Sequence, residues 1–166
     1  MSSAKNTCVA GIDPGATGAV SFLFTAAPQI VTAFDMPVAD GRVCAPTLAA
    51  LFRQFAPDLV VIENVHAVRG NGVSSTWNFA VNHGVAIGVV GALQLPVRYV
   101  APTKWKKHFG LGADKELSRA RALETWPACA DAFSRKKDHG RAESALIALY
   151  GRIHFVQEIA ADDAAS

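Results

Sequence analysis

Asp13 ends an apolar run, Val9-Ala10-Gly11-Ile12, and is followed at once by Pro14-Gly15. Glu63 ends another, Leu59-Val60-Val61-Ile62. Both runs have the length and composition of buried strands. A strand alternates its faces, so Val9, Gly11 and Asp13 point one way, and Leu59, Val61 and Glu63 share a face in the same manner. Taken alone, Asp13 suits a turn and Glu63 an exposed strand end. Equivalent positions on two strands suit a shared site. If the strands are parallel neighbours, the two carboxylates lie side by side at the carboxyl edge of the sheet, where open α/β sheets bind ligands. Adjacent carboxylates resist ionising unless a cation lies between them. Magnesium or manganese, both oxygen-seeking, is the matching ion.

A third group of candidates lies in Lys136–Gly151, KKDHGRAESALIALYG. Read as a helix, this stretch has an apolar stripe of Ala142, Leu146, Leu149 and Ile153, with Glu143 on its flank. Asp138 and His139 precede Glu143 by five and four residues. His139 shares a face with Glu143 if the helix starts early enough, and Asp138 alternatively reads as its N-cap. Asp13, Glu63 and Glu143 with Asp138 or His139 make a ligand set suited to two divalent ions, which activate a water and steady the leaving oxygen in phosphodiester cleavage.

The elements that must position these residues follow from periodicity and punctuation. Thr7–Asp13, Gly18–Phe24 and Gln29–Met36 read as an antiparallel meander. Ala45–Phe55 has helical spacing, and Asp58–Glu63 is a short buried strand. Val65–Gly72 reads as a loop, followed by a long helix capped at Ser74 or Ser75 and running to Leu93. Val97–Ala101 is a strand. Pro102–Phe109, Lys115–Thr125 and Arg141–Val156 are helices, with a polar link over Asp131–His139. Short apolar strands covered by helices imply an α/β layer structure with one domain over 1–156, and the acidic last ten residues read as a flexible tail.

Composition narrows the classes. The chain has 166 residues, 51% hydrophobic and 18% charged, with a net charge of only +2, which suits a globular domain with its own core. No run reaches the ~18 apolar residues of a membrane span, and the first residues lack the apolar core of a secretory signal. Cys8, Cys44 and Cys129 are scattered, which fits reduced thiols in a cytoplasmic protein. The charge is unevenly placed: eleven of the sixteen Lys and Arg lie between Arg98 and Arg141, against five acids. Such asymmetry suits a polyanionic partner, and equally a solvated helical face.

Taken together, GIDPGATGAV, VVIENVHA, HGVAIGVVGALQLPVRYVAPTKWKKHFGL, DKELSRARALETWP and KKDHGRAESALIALYG make the chain resemble RuvC-type Holliday junction resolvases. The likeness is to the short, phage-encoded branch of that group within the RNase H-like superfamily, and it covers residues 7–155. It implies an RNase H-like α/β fold, a central mixed five-stranded sheet flanked by helices. It also implies a magnesium-dependent endonuclease (manganese as a substitute) without a nucleotide cofactor. The enzyme would act as a homodimer that nicks two like strands of a four-way DNA junction symmetrically. Asp13 matches the family's first-strand aspartate, Glu63 its second acid and Glu143 the acid of the last helix. Cellular members place their last two ligands three residues apart, and here that position is Gly140. The remaining ligand then comes from Asp138 or His139, with Asp138 favoured for its charge.

The resemblance makes Lys104, Lys106, Lys107, Arg119, Lys136 and Lys137 candidates for phosphate contacts, which give affinity without sequence information. Arg69 and Asn71 sit in the loop that related resolvases use to probe the junction centre, and could read phosphates or base edges. That loop often carries an aromatic, whereas this chain has Val65-His66-Ala67. Trp105 and Trp126 read as core anchors. Gly84, Gly88 and Ala92 form a small-residue row on the long helix, suited either to packing on the chain's own sheet or to a self-complementary dimer contact. A less selective branched-DNA or RNA–DNA hybrid nuclease, and a non-cutting junction binder, are the competing readings.

Overall fold

β1 (Cys8–Asp13) and β6 (Leu59–Glu63) are apolar almost throughout because both faces of each are covered. The computed structural model describes residues 6–65 and 72–164. Its main sheet has the order β3-β2-β1-β6-β7. β2 (Ala19–Phe24) and β3 (Val31–Asp35) complete the antiparallel meander. β6 runs parallel to β1, and β7 (Val97–Val100) parallel to β6. The expected mixed five-stranded sheet is therefore present. A two-stranded hairpin, β4 (Val38–Ala39) with β5 (Arg42–Val43), was not legible in the sequence.

Helices cover both faces. α1 (Ala45–Phe55) and α2 (Val73–Ala92) pack Leu48, Phe52, Ala86 and Val90 onto Ala10, Ile12, Val60 and Ile62. The opposite face, carrying Val9, Leu59 and Val61, takes α5 (His139–Ala164) through Ala142, Ala145, Leu146 and Ala148. α3 (Pro102–His108) and α4 (Lys115–Thr125) bring Trp105 and Ala122 to this second core. Of two short 3-10 helices, Pro127–Phe133 begins ahead of the expected polar link over Asp131–His139 and runs into it, and Lys136–Asp138 lies within it. α5 begins earlier than expected and continues past Val156. Ile153, expected in the apolar stripe, is exposed: the buried hydrophobic residues of α5 are Ala142, Ala145, Leu146, Ile147 and Ala148, all nearer the start of the helix. No described helix is long and apolar enough to cross a membrane.

The close seating of α5 on β1 depends on Gly11. A Cβ there would run into the Ser144 carbonyl oxygen and lie 2.5 Å from the Ala148 nitrogen. Both are backbone atoms that no rotamer change can move. Gly11→Ala is accordingly expected to cost about 3 kcal/mol or more, measured as a lower midpoint of urea unfolding at unchanged slope.

Candidate active site

The register of β1 and β6 fixes the first two acids. Ile12 pairs with Ile62, so the next residues, Asp13 and Glu63, end adjacent parallel strands. α5 crosses the same face and brings Glu143 over them. The three carboxylates line one cavity of about 380 Å³, together with Lys115, His139 and the turn Pro14–Gly18. His139 and Glu143 reach it from one face of α5, because the helix starts at His139.

Each acid has a distinct setting. Glu63 is buried and its Oε1 accepts a hydrogen bond from Trp105 Nε1, 2.9 Å away. Glu143 is also buried, and its Oε1 accepts from Ser118 Oγ at 3.3 Å and meets Lys106 Nζ at 3.1 Å. Among the described residues, no side chain donates such a hydrogen bond to Asp13. Burial, then the charges of Glu143 and Glu63, hold its carboxyl well above the usual carboxylate range, against the opposing pull of Lys115 and Lys106. Glu63 is raised too, first by burial, while the Trp105 hydrogen bond restrains the shift.

These are oxygen donors under mutual repulsion, with lysine ammonium groups drawn in beside them. That chemistry fits a hard divalent cation. As the side chains stand, no three His, Cys, Asp or Glu among the described residues close around one ion. Lys106 occupies Glu143 instead.

Asp138 sits elsewhere. It is fully buried and receives the Arg135 backbone N–H at 2.8 Å and the Arg135 guanidinium at 2.7 Å. That hydrogen bonding holds its carboxyl below the usual range. It closes a capping box at the start of the Lys136–Asp138 turn and does not line the cavity. Gly140, three residues before Glu143, packs on the turn after β1. A Cβ there would lie 3.0 Å from the Thr17 carbonyl oxygen, so this wall of the site is closed to a side chain at that position.

The basic candidates divide into three groups. Lys136 and Lys137 are exposed and line a shallow cavity of about 680 Å³ that shares Lys115 and His139 with the acidic one. Lys104 and Lys107 are exposed on α3, whereas Lys106 turns inward to Glu143. Arg119 is committed to the fold: its guanidinium donates to the Phe133 and Ser134 carbonyls and pairs with Glu116. Arg69 and Asn71 lie outside the described residues. Gly84 and Gly88 are exposed on α2 with open space where a Cβ would stand, so the sheet does not cover this row.

Sequence reasoning missed the site roles of Lys115, Ser118 and Trp105. Lys115 carried a signal, since Asp114 caps α4 and fixes where its first residues project. Ser118 and Trp105 reach their acids across 25 and 42 residues, and no local pattern reports such approaches.

No family model matches the sequence, and no curated protein resembles it in sequence. Solved structures do resemble the fold. Thermus thermophilus RuvC in complex with a Holliday junction substrate aligns at a TM-score of 0.58 and 19% identity, over 90% of this chain and 97% of that one. A second structure of Thermus thermophilus RuvC gives 0.54 and 16%, over 89% and 96%. The yeast mitochondrial Holliday junction resolvase gives 0.50 and 15%, over 86% and 78%. The sheet order, the helix on each face and these alignments together give this chain the fold of the RuvC-type Holliday junction resolvases.

Proposed function

We propose that this chain is a metal-dependent endodeoxyribonuclease that resolves four-way DNA junctions. The observation that carries the reading is the meeting of Asp13, Glu63 and Glu143 from β1, β6 and α5 in one cavity that opens beside Lys115, Lys136 and Lys137. An acidic pocket next to a basic strip suits a phosphodiester backbone lying along the strip with one phosphate brought to the carboxylates.

Asp13, Glu63 and Glu143, with His139 in preference to Asp138, would hold magnesium or manganese. When bound, such ions supply charge neutralisation and an activated water for phosphodiester hydrolysis. The chain's own groups do the rest. Trp105 fixes the rotamer of Glu63, and Ser118 that of Glu143. Lys106 is positioned to release Glu143 when a divalent ion competes for it. The turn after Asp13 has small side chains, which leaves room for a sugar–phosphate strand. Lys104 and Lys107 extend the phosphate-binding face. A homodimer joined through the exposed Gly84–Gly88 row of α2 would give the two sites the two-fold relation of a junction.

Incubating the protein with a mobile four-way junction and magnesium, and mapping the cuts on all four strands, tests this reading. Paired symmetric nicks support it. Scattered cuts or preferential flap cleavage favour the broader nuclease, and tight binding without cutting favours the binding module. Replacing Lys136 and Lys137 together by Ala is expected to weaken junction binding for all sequences alike. It should reduce the slope of log affinity against log salt by roughly 2, about 0.9 for each lost phosphate contact, as read from titrations at several salt concentrations.

A further inference from the structure

Away from the carboxylates, the last residue of α3 meets the exposed side of α5. His154 Nε2 lies 3.3 Å from His108 Nδ1. The two rings are nearly perpendicular, at 82°, and their centroids are 4.7 Å apart. Tyr150, one turn before His154 on α5, packs against both, with ring centroids 4.3 Å from His154 and 5.5 Å from His108. Both histidines are exposed, and neither lines the acidic cavity or the basic strip.

Two imidazole nitrogens facing each other from separate helices can share a proton or share an ion. The spacing bears on the second option. Two nitrogens each about 2.0–2.1 Å from one ion and 3.3 Å apart subtend about 107° at it, close to the tetrahedral angle zinc prefers. To share an ion, each exposed ring must rotate so that its lone pair turns from the other nitrogen onto that point.

We propose that His108 and His154 form a two-histidine site for a borderline transition-metal ion of the zinc, nickel and copper class, with water in the remaining positions. The donor type separates it from the acidic cavity, because imidazole selects these ions and carboxylate oxygens select magnesium or manganese. Its placement gives it a structural consequence. An ion here ties α3 to α5, and α3 carries Trp105 and Lys106, which contact Glu63 and Glu143. The site is independent of the nuclease reading.

Titrating Ni²⁺ into the untagged full chain in excess Mg²⁺, with an Asp13→Asn/Glu63→Gln background to silence the acidic cavity, tests the proposal. One Ni²⁺ should bind per chain and raise the Tm. His108→Ala and His154→Ala should each weaken that affinity about tenfold or more, a loss of about 1.4 kcal/mol, and the double variant should abolish it. Paramagnetic Ni²⁺ should also broaden the ring C–H resonances of His108 and His154 before those of His83. Circular dichroism of the variants separates lost binding from lost fold, which exposed positions make a small concern. No Ni²⁺ uptake by the background protein, or uptake by His154→Ala at the same affinity, overturns the assignment.

Discussion

Asp13→Asn is expected to bind a four-way junction as tightly as the parent chain and to cut it at least ~10³-fold more slowly, as several kcal/mol of lost charge stabilisation require. The same substitution should raise the Tm in chelator at neutral pH. Burial and the charges of Glu143 and Glu63 hold the Asp13 carboxyl well above its usual range, whereas the unfolded chain titrates it near pH ~3.9. A group raised in this way contributes stability that is complete below the unfolded pKa and is lost as pH rises through the folded one. The metal-free parent should therefore lose Tm on going from mildly acid to neutral pH. The asparagine side chain cannot ionise, so the variant should show a flatter profile. Each kcal/mol of relieved repulsion is worth about 2–4 °C in a chain of this size. Asp35 and Asp138, whose pKa values are lowered by Arg141 and Arg135, lose their contributions only as pH falls below the unfolded carboxylate range, so the two effects occupy different windows. Magnesium should restore Tm to the parent and give the variant little. Parent and variant Tm profiles that coincide across pH would show that the three acids do not share one electrostatic site, and normal cutting by the variant would remove Asp13 from the chemistry.

The parts of this site that were readable in the sequence are those set by strand chemistry. Two apolar runs each ending in an acid are enough to place Asp13 and Glu63 together, because strand period and parallel pairing leave few alternatives. Glu143 was readable as the flank of an apolar helical stripe, although the stripe itself was misassigned at Ile153. The four residues of the β4–β5 hairpin are too few to show a period. Trp105 was readable as a core residue, but not as the donor to Glu63, because that contact depends on how α3 docks after the chain has crossed from β6 through α2 and β7. Lys106 and Arg119 looked equivalent as basic helix residues. One turns to Glu143, and the other is consumed by two backbone carbonyls and Glu116. Charge counting cannot distinguish such fates.

The choice between Asp138 and His139 yields the second large effect, since the two substitutions should fail in opposite ways. Charge favoured Asp138 in the sequence, but its carboxylate is fully buried and spent on the Arg135 backbone and guanidinium. Asp138→Ala removes the acceptor of that capping box and leaves the Arg135 N–H at the entrance to α5 unpaired, so it should lower the Tm by several degrees. Protein that remains folded should cut junctions at close to the parent rate. His139 is only part-buried, lines the acidic cavity and has Lys115 Nζ 3.3 Å from its Nε2. His139→Ala should therefore leave the Tm nearly unchanged and slow cleavage by about 10²-fold or more, the scale for loss of a positioned proton-transfer group or ligand. Rates normalised to the folded fraction, measured beside the melting curves, separate the cases. If Asp138→Ala abolishes cutting at full Tm while His139→Ala cuts normally, Asp138 must leave Arg135 and swing into the cavity during the reaction, and the capping box is then a resting state of the enzyme.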